Sequence, residues 1–107
     1  MTNLTFKNYT EYLSEVYLNH KGDMRLFLKL IEEIGEVAEV MHAGSKRNKK
    51  ELGNELADVI HYTLAIASIN GIDIETVILN KDRDASLKYG RENNLTNYIN
   101  LHKDDIS

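Results

Sequence analysis

Cysteine, proline and tryptophan are all missing from this chain of 107 residues. Without cysteine there is no disulfide, no thiolate metal site and no thiol nucleophile. That suits a reducing compartment, and a cytoplasmic location is the expectation. Without proline no helix meets a built-in breaker. The six glycines are scattered. No apolar run approaches the roughly 18 residues of a membrane span. Met1 to Asn8 lack the basic-then-apolar pattern of a secretory leader. No membrane partner is therefore expected. A net charge of -4 argues against a general nucleic-acid binder.

What is present is an ordinary balance, 42 % apolar and 28 % charged. It is enough for one domain over residues 1–107, with little core to spare. A single layer of helices at this length leaves an apolar face open, so self-association is expected. Residues of high β propensity do not alternate anywhere, so the fold class is all-α. Helix 1 is predicted over about Lys7 to Asn19, with Tyr9, Tyr12, Leu13, Val16 and Tyr17 in one stripe. Asp23 is placed to cap helix 2, which runs from about Met24 to Ala43. Its buried side is read as Phe27, Leu30, Ile31, Ile34, Val37, Ala38 and Met41. Helix 3 spans about Lys49 to Asn70, with Leu52, Leu56, Val59, Thr63, Ile66 and Asn70 inward. Gly71 ends it and Asp73 caps helix 4, which reaches about Tyr89 with Ile74, Val77, Ile78 and Ala85 inward. The core covers about residues 24–89. Residues 91–107 form a tail or a docking segment, anchored at Leu95, Tyr98, Ile99 and Leu101.

Two acidic clusters carry the chemistry. Glu32-Glu33-Ile34-Gly35-Glu36 lies on helix 2, and Glu55-Leu56-Ala57-Asp58 follows on helix 3 after a gap of 18 residues. Residues three apart on a helix share a face. Glu33 and Glu36 therefore point one way, and so do Glu55 and Asp58. Glu55 falls inside the stripe of Leu52, Val59 and Ile66, which carries it toward the core. An unpaired carboxylate there costs several kcal/mol. It must be protonated, paired with a cationic side chain, or bound to metal. Oxygen donors without cysteine favour Mg²⁺, with Mn²⁺ as the other option. The opposing reading makes these acids a solvated face. The basic connection Lys46 to Lys50 has two readings as well, a solvated turn or a contact for phosphates.

Histidines raise a rival. Glu39 and His42 form an ExxH, and Asp58 and His61 a DxxH. Bundles that bind two irons or two manganese ions use Glu-x-x-His on two helices with a Glu from each of two others. Only Glu15 and Glu75 could complete such a set. A third reading is a non-catalytic helical module whose stripes serve dimerisation alone. Tyr9, Tyr12 and Tyr17 read as core or subunit contacts, with base stacking as the alternative.

The stretch from Leu30 to Tyr62 resembles the MazG-like family of all-α nucleoside triphosphate pyrophosphohydrolases. That superfamily also holds dimeric dUTPases and phosphoribosyl-ATP pyrophosphatases. The resemblance rests on EExxE at Glu32–Glu36 and ExxD at Glu55–Asp58. It is supported by Asn70-Gly71-Ile72-Asp73-Ile74-Glu75 and extends over about Met24 to Tyr89. It implies a four-helix bundle that assembles as a dimer or a dimer of dimers. It implies Mg²⁺-dependent hydrolysis of an NTP or dNTP to the monophosphate and pyrophosphate, a housekeeping task on nucleotide pools. It assigns the metal to Glu33, Glu36, Glu55 and Asp58. Glu32, then Glu36, would take the proton of the attacking water. The family's helix-4 pattern K-x-x-x-N-x-x-[KR]-[YF] falls on Lys81, Lys88 and Tyr89. These would bind substrate, with Arg83 or Asn80 standing in because Ala85 occupies the place of the asparagine. The nucleobase would lie near helix 1 and a partner subunit.

Overall fold

Helix starts in this protein are set by side chains that serve free backbone N–H groups. The computed structural model describes residues 2–103. Its helices are α1 (Phe6–Val16), α2 (Met24–His42), α3 (Lys49–Ile69), α4 (Ile74–Lys88) and α5 (Leu95–Leu101), with a 3₁₀ turn at Gly44–Lys46 between α2 and α3. There is no strand among the described residues. Thr5 and Asn8 form a reciprocal capping box at α1. Asn48 accepts from the Glu51 N–H at α3, and Asp73 from the Thr76 N–H at α4. Each such cap contributes about 1 kcal/mol. Asp23 departs from expectation. Its carboxylate makes no cap to α2 and instead accepts from Asn70 Nδ2 at 3.0 Å. It ties the start of α2 to the end of α3, a contact between residues far apart in sequence. Among the described residues no single helix is long and apolar enough to cross a membrane.

The chain divides into two compact units at the turn between Ile72 and Asp73. In the first, α3 packs against both α1 and α2. Its α1 side is fastened by Leu13, fully buried, and by Leu64 and Ala65. Its α2 side is a seam. The inner row of α2 is Leu26, Leu30, Glu33, Val37 and Val40, at spacings of four and three, and all five are buried or half-buried. The matching row of α3 is Leu52, Glu55, Val59, Tyr62, Ile66 and Ile69, all half-buried.

The predicted inward face of α2 needs correcting. Phe27, Ile31, Ile34, Ala38 and Met41 are exposed. They form a second apolar row, one residue or about 100° round the helix from the inner one. Tyr12 and Val16 on α1 are likewise exposed, as are Leu56, Thr63 and Asn70 on α3. Hydropathy alone picks the most continuous apolar row, whereas the seam uses the row that contains an acid.

The second unit pairs α4 with α5. Asp82 Oδ2 accepts from the Leu95 N–H at 2.6 Å, and Asn94 caps α5 at the Asn97 N–H. Ser86 is buried and donates to the Arg83 carbonyl. Val77, expected inward, is exposed, and of the expected tail anchors only Leu95 is half-buried.

Candidate metal centre

The acids meet where Glu33 and Glu55 face each other across the seam, with half-buried Glu36 and exposed Asp58 at its edge. Glu33 is on the inner row of α2 and Glu55 on the facing row of α3, with Asp58 one turn further along. One carboxylate oxygen from each of Glu33, Glu55 and Asp58 lies within 4.8 Å of the others. Glu36, half-buried, comes up against both Glu55 and Glu33. All four expected metal ligands are thus brought together.

The electrostatics of this group are those of an incomplete site. Glu33 Oε2 and Glu55 Oε2 are shut off from solvent, and neither has a hydrogen-bond partner among the described residues. Buried acceptors without a donor are rare in folded proteins. No lysine, arginine or histidine pairs with any of the four acids among the described residues. The Glu36 carboxylate beside it, together with burial and the neighbouring Glu33, pushes the Glu55 carboxyl up to about 7. Burial, followed by the contact with Glu36, lifts Glu33 above its ordinary range. Of the three fates open to a seam carboxylate, ion pairing is not taken among the described residues. Protonation and a bound cation remain, and like charges at this separation favour a proton only until a cation arrives. Three to four carboxylate oxygens without sulfur or imidazole suit a hard divalent ion.

Other expected residues lie elsewhere. Glu32 points outward, its side chain 55 % exposed and 3.4 Å from Lys29 Nζ. Glu36 and Glu55 open into a polar cavity of about 370 Å³ that also receives Lys46, Arg47 and Asn48. Arg47 is occupied there, donating to the Gly44 carbonyl at 2.8 Å and to Met41 Sδ at 2.9 Å. Lys81, Arg83, Lys88 and Tyr89 belong to the second unit. Lys81 and Lys88 are seven residues apart and share a face of α4, whereas Arg83 faces away from both. Arg83 donates to Asn80 at 3.1 Å, and Lys88 Nζ lies 5.4 Å from the centre of the Tyr89 ring.

Among the described residues the di-iron candidates join no metal-sized group, the acids that cluster being Glu33, Glu55 and Asp58. Glu15, Glu39, His42 and Glu75 are all exposed. Both ring nitrogens of His61 are taken by α1, Nδ1 by the Tyr9 hydroxyl at 3.3 Å and Nε2 by the Tyr17 hydroxyl at 2.8 Å. Sequence reasoning missed this pairing, because nothing local links His61 to tyrosines 52 and 44 residues away.

Comparison with known proteins agrees with this geometry. Residues 22–84 match the family model described as the MazG nucleotide pyrophosphohydrolase domain. A phosphoribosyl-ATP pyrophosphatase from Clostridium acetobutylicum is 32 % identical over 71 residues, covering 65 % of this chain and 56 % of that protein. The chain therefore matches little more than half the length of this curated relative.

Proposed function

This chain belongs to the MazG nucleotide pyrophosphohydrolase family, and from that premise we propose that it hydrolyses a nucleoside triphosphate, NTP or dNTP, to the monophosphate and pyrophosphate. The observation that carries the reading is the meeting of Glu33, Glu55 and Asp58 within 4.8 Å, with two buried carboxylate oxygens unpartnered among the described residues. Glu33, Glu36, Glu55 and Asp58 would hold Mg²⁺ or Mn²⁺. Such an ion, once bound, neutralises triphosphate charge and lowers the pKa of water. A water oxygen attacks the α-phosphorus, the bond to the bridging oxygen breaks, and pyrophosphate leaves with that electron pair. The proton of the water goes to a carboxylate. Glu36, in contact with Glu55, is better placed for this than Glu32, which stands outside the group beside Lys29. Lys46 adds positive charge in the cavity shared with Glu36 and Glu55. Lys81, Lys88 and Tyr89, with Arg83 if α4 is approached from its other face, would bind the substrate.

One second reading has its own support. The curated relative is a phosphoribosyl-ATP pyrophosphatase, so phosphoribosyl-ATP is a substrate to set beside simple triphosphates. The exposed row of Phe27, Ile31, Ile34, Ala38 and Met41 supports assembly as a homodimer or homotetramer, since such a face is stabilised by burial. A cytoplasmic setting fits a nucleotide substrate and a chain without cysteine.

The test is a panel of NTPs, dNTPs and phosphoribosyl-ATP with Mg²⁺, read as pyrophosphate release. Turnover is expected on at least one member and is abolished by Asp58→Asn, with the helical circular dichroism unchanged. Release of orthophosphate, or none from any member, removes the assignment.

A further inference from the structure

Asn70 closes α3, and Gly71 follows it in the left-handed region at φ 66°. The turn calls for glycine there, because a Cβ is strained at that φ. The Gly71 N–H donates to the Ser68 carbonyl at 3.2 Å, and the Ile72 N–H to the Ala67 carbonyl at 2.9 Å. The way this helix stops therefore puts glycine directly after an asparagine. Asparagine is a chemically labile residue, and most of all in this pair. With no Cβ on the following residue, the backbone nitrogen can close on the asparagine side chain without obstruction. Asn70 and Gly71 are both exposed, so water reaches them.

Two contacts hold the side chain back. A carboxamide nitrogen carries two N–H donors, and both are taken here. Asn70 Nδ2 donates to the Ile66 carbonyl at 2.8 Å and to Asp23 Oδ2 at 3.0 Å. The first contact turns the carboxamide back onto the last turn of α3, away from the peptide that follows it. The second fastens it to the residue before α2, whose carboxylate makes no cap to its own helix. A charged acceptor makes this the stronger kind of hydrogen bond. The attacking atom is restrained as well, since the Gly71 N–H is engaged and Asn70 sits at φ -96° and ψ 5°.

We propose that Asn70 is a site of spontaneous deamidation that Asp23 holds shut. When the tie opens, the Gly71 nitrogen gives up its proton and attacks Asn70 Cγ. The Cγ–Nδ2 bond breaks, Nδ2 takes up a proton, and ammonia leaves behind a cyclic imide. Water opens the imide at either carbonyl, giving aspartate or isoaspartate. No oxidant or reductant takes part. The product carries a carboxylate opposite Asp23, where a donor stood before. Two like charges at that separation repel, so the tie does not form again. The modification is a one-way release of the start of α2 from the end of α3.

Peptide mass spectrometry on the full chain reads the reaction, with the protein incubated at one pH and temperature, folded in buffer or unfolded in urea. In urea Asn70 should convert ahead of the other asparagines. In buffer the wild type should convert at least about tenfold more slowly, the factor that one hydrogen bond to a charged group carries. Folded Asp23→Ala should convert about tenfold faster than the folded wild type. Thr5→Ala, which removes the cap of α1 and leaves the tie alone, should convert at the wild-type rate. Asn70→Asp, the product form, should melt below the wild type. Equal rates for the folded and unfolded wild type overturn the proposal without any variant. A wild-type rate in Asp23→Ala, or the same acceleration in Thr5→Ala, overturns the part given to Asp23. Pyrophosphate release does not enter these readings, so they fail or succeed separately from the hydrolase assignment.

Discussion

The two sides of α3 are built on opposite principles. Toward α1, polar groups find partners inside the chain. Tyr9 and Tyr17 hold His61, while Ser68 meets the Ser14 hydroxyl at 2.6 Å and the Thr10 carbonyl at 3.2 Å. Toward α2, the polar groups are acids that repel one another, and two of their oxygens have no partner among the described residues. One seam is complete as folded. The other carries a cost that only something from outside the chain can offset, which is the usual signature of a functional site set into a stable scaffold.

The comparison breaks most visibly at Glu55. Glu55→Gln keeps the shape of the side chain and removes the charge. Pyrophosphate release is expected to fall 100-fold or more, on the order of the largest ligand-shell effects. The melting temperature of the metal-free protein near pH 8 should rise at the same time. A fall in both would mean that the acid seam is structural.

The pH dependence sharpens the contrast further. Glu55 is raised from 4.5 to about 7 in the folded state, so the folded chain keeps a proton that the unfolded chain has released. Its contribution is fully present below about pH 4.5 and is lost as pH rises through about 7. Melting in EDTA should therefore weaken across that window. Saturating Mg²⁺ should offset the loss at the upper end, because a ligand bound only by the folded state stabilises it. Identical melting profiles with and without the ion would sink this.

The smallest effect belongs to the other seam. Ser68→Ala removes two of its hydrogen bonds, to the Ser14 hydroxyl and the Thr10 carbonyl, and should cost about 1 to 2 kcal/mol in denaturant unfolding. That cost should be the same with or without Mg²⁺. A loss that Mg²⁺ repairs would show that the two seams are not independent.

Legibility in the sequence follows the same division. Helix limits could be read because Asp73 and Gly71 act on their immediate neighbours, whereas the Asn48 cap of α3 lay unread inside a basic connection. Gly71 takes a left-handed φ of 66° after α3, letting the Ile72 N–H reach back to the Ala67 carbonyl. Glu55 could be read because a lone acid interrupts an apolar row. Asp23 holds the expected N-cap position, but its carboxylate is drawn to Asn70, 47 residues away, which no local pattern shows. The tyrosine clamp on His61 was hidden for that reason too. The inner face of α2 was misread because hydropathy ranks rows by how apolar they are, and the row that packs is the one holding Glu33.

That misreading points to what turns α2 the way it lies. The helix carries two rows able to pack, Leu26 to Val40 and Phe27 to Met41, and the second has the more hydrophobic composition. Greasiness by itself would roll the rod by about 100° and expel Glu33. The rotational setting of α2 places Glu33 in the seam instead. Glu33, proposed above as a metal ligand, lies on the row that packs, and the flank from Phe27 to Met41 is the one left facing solvent.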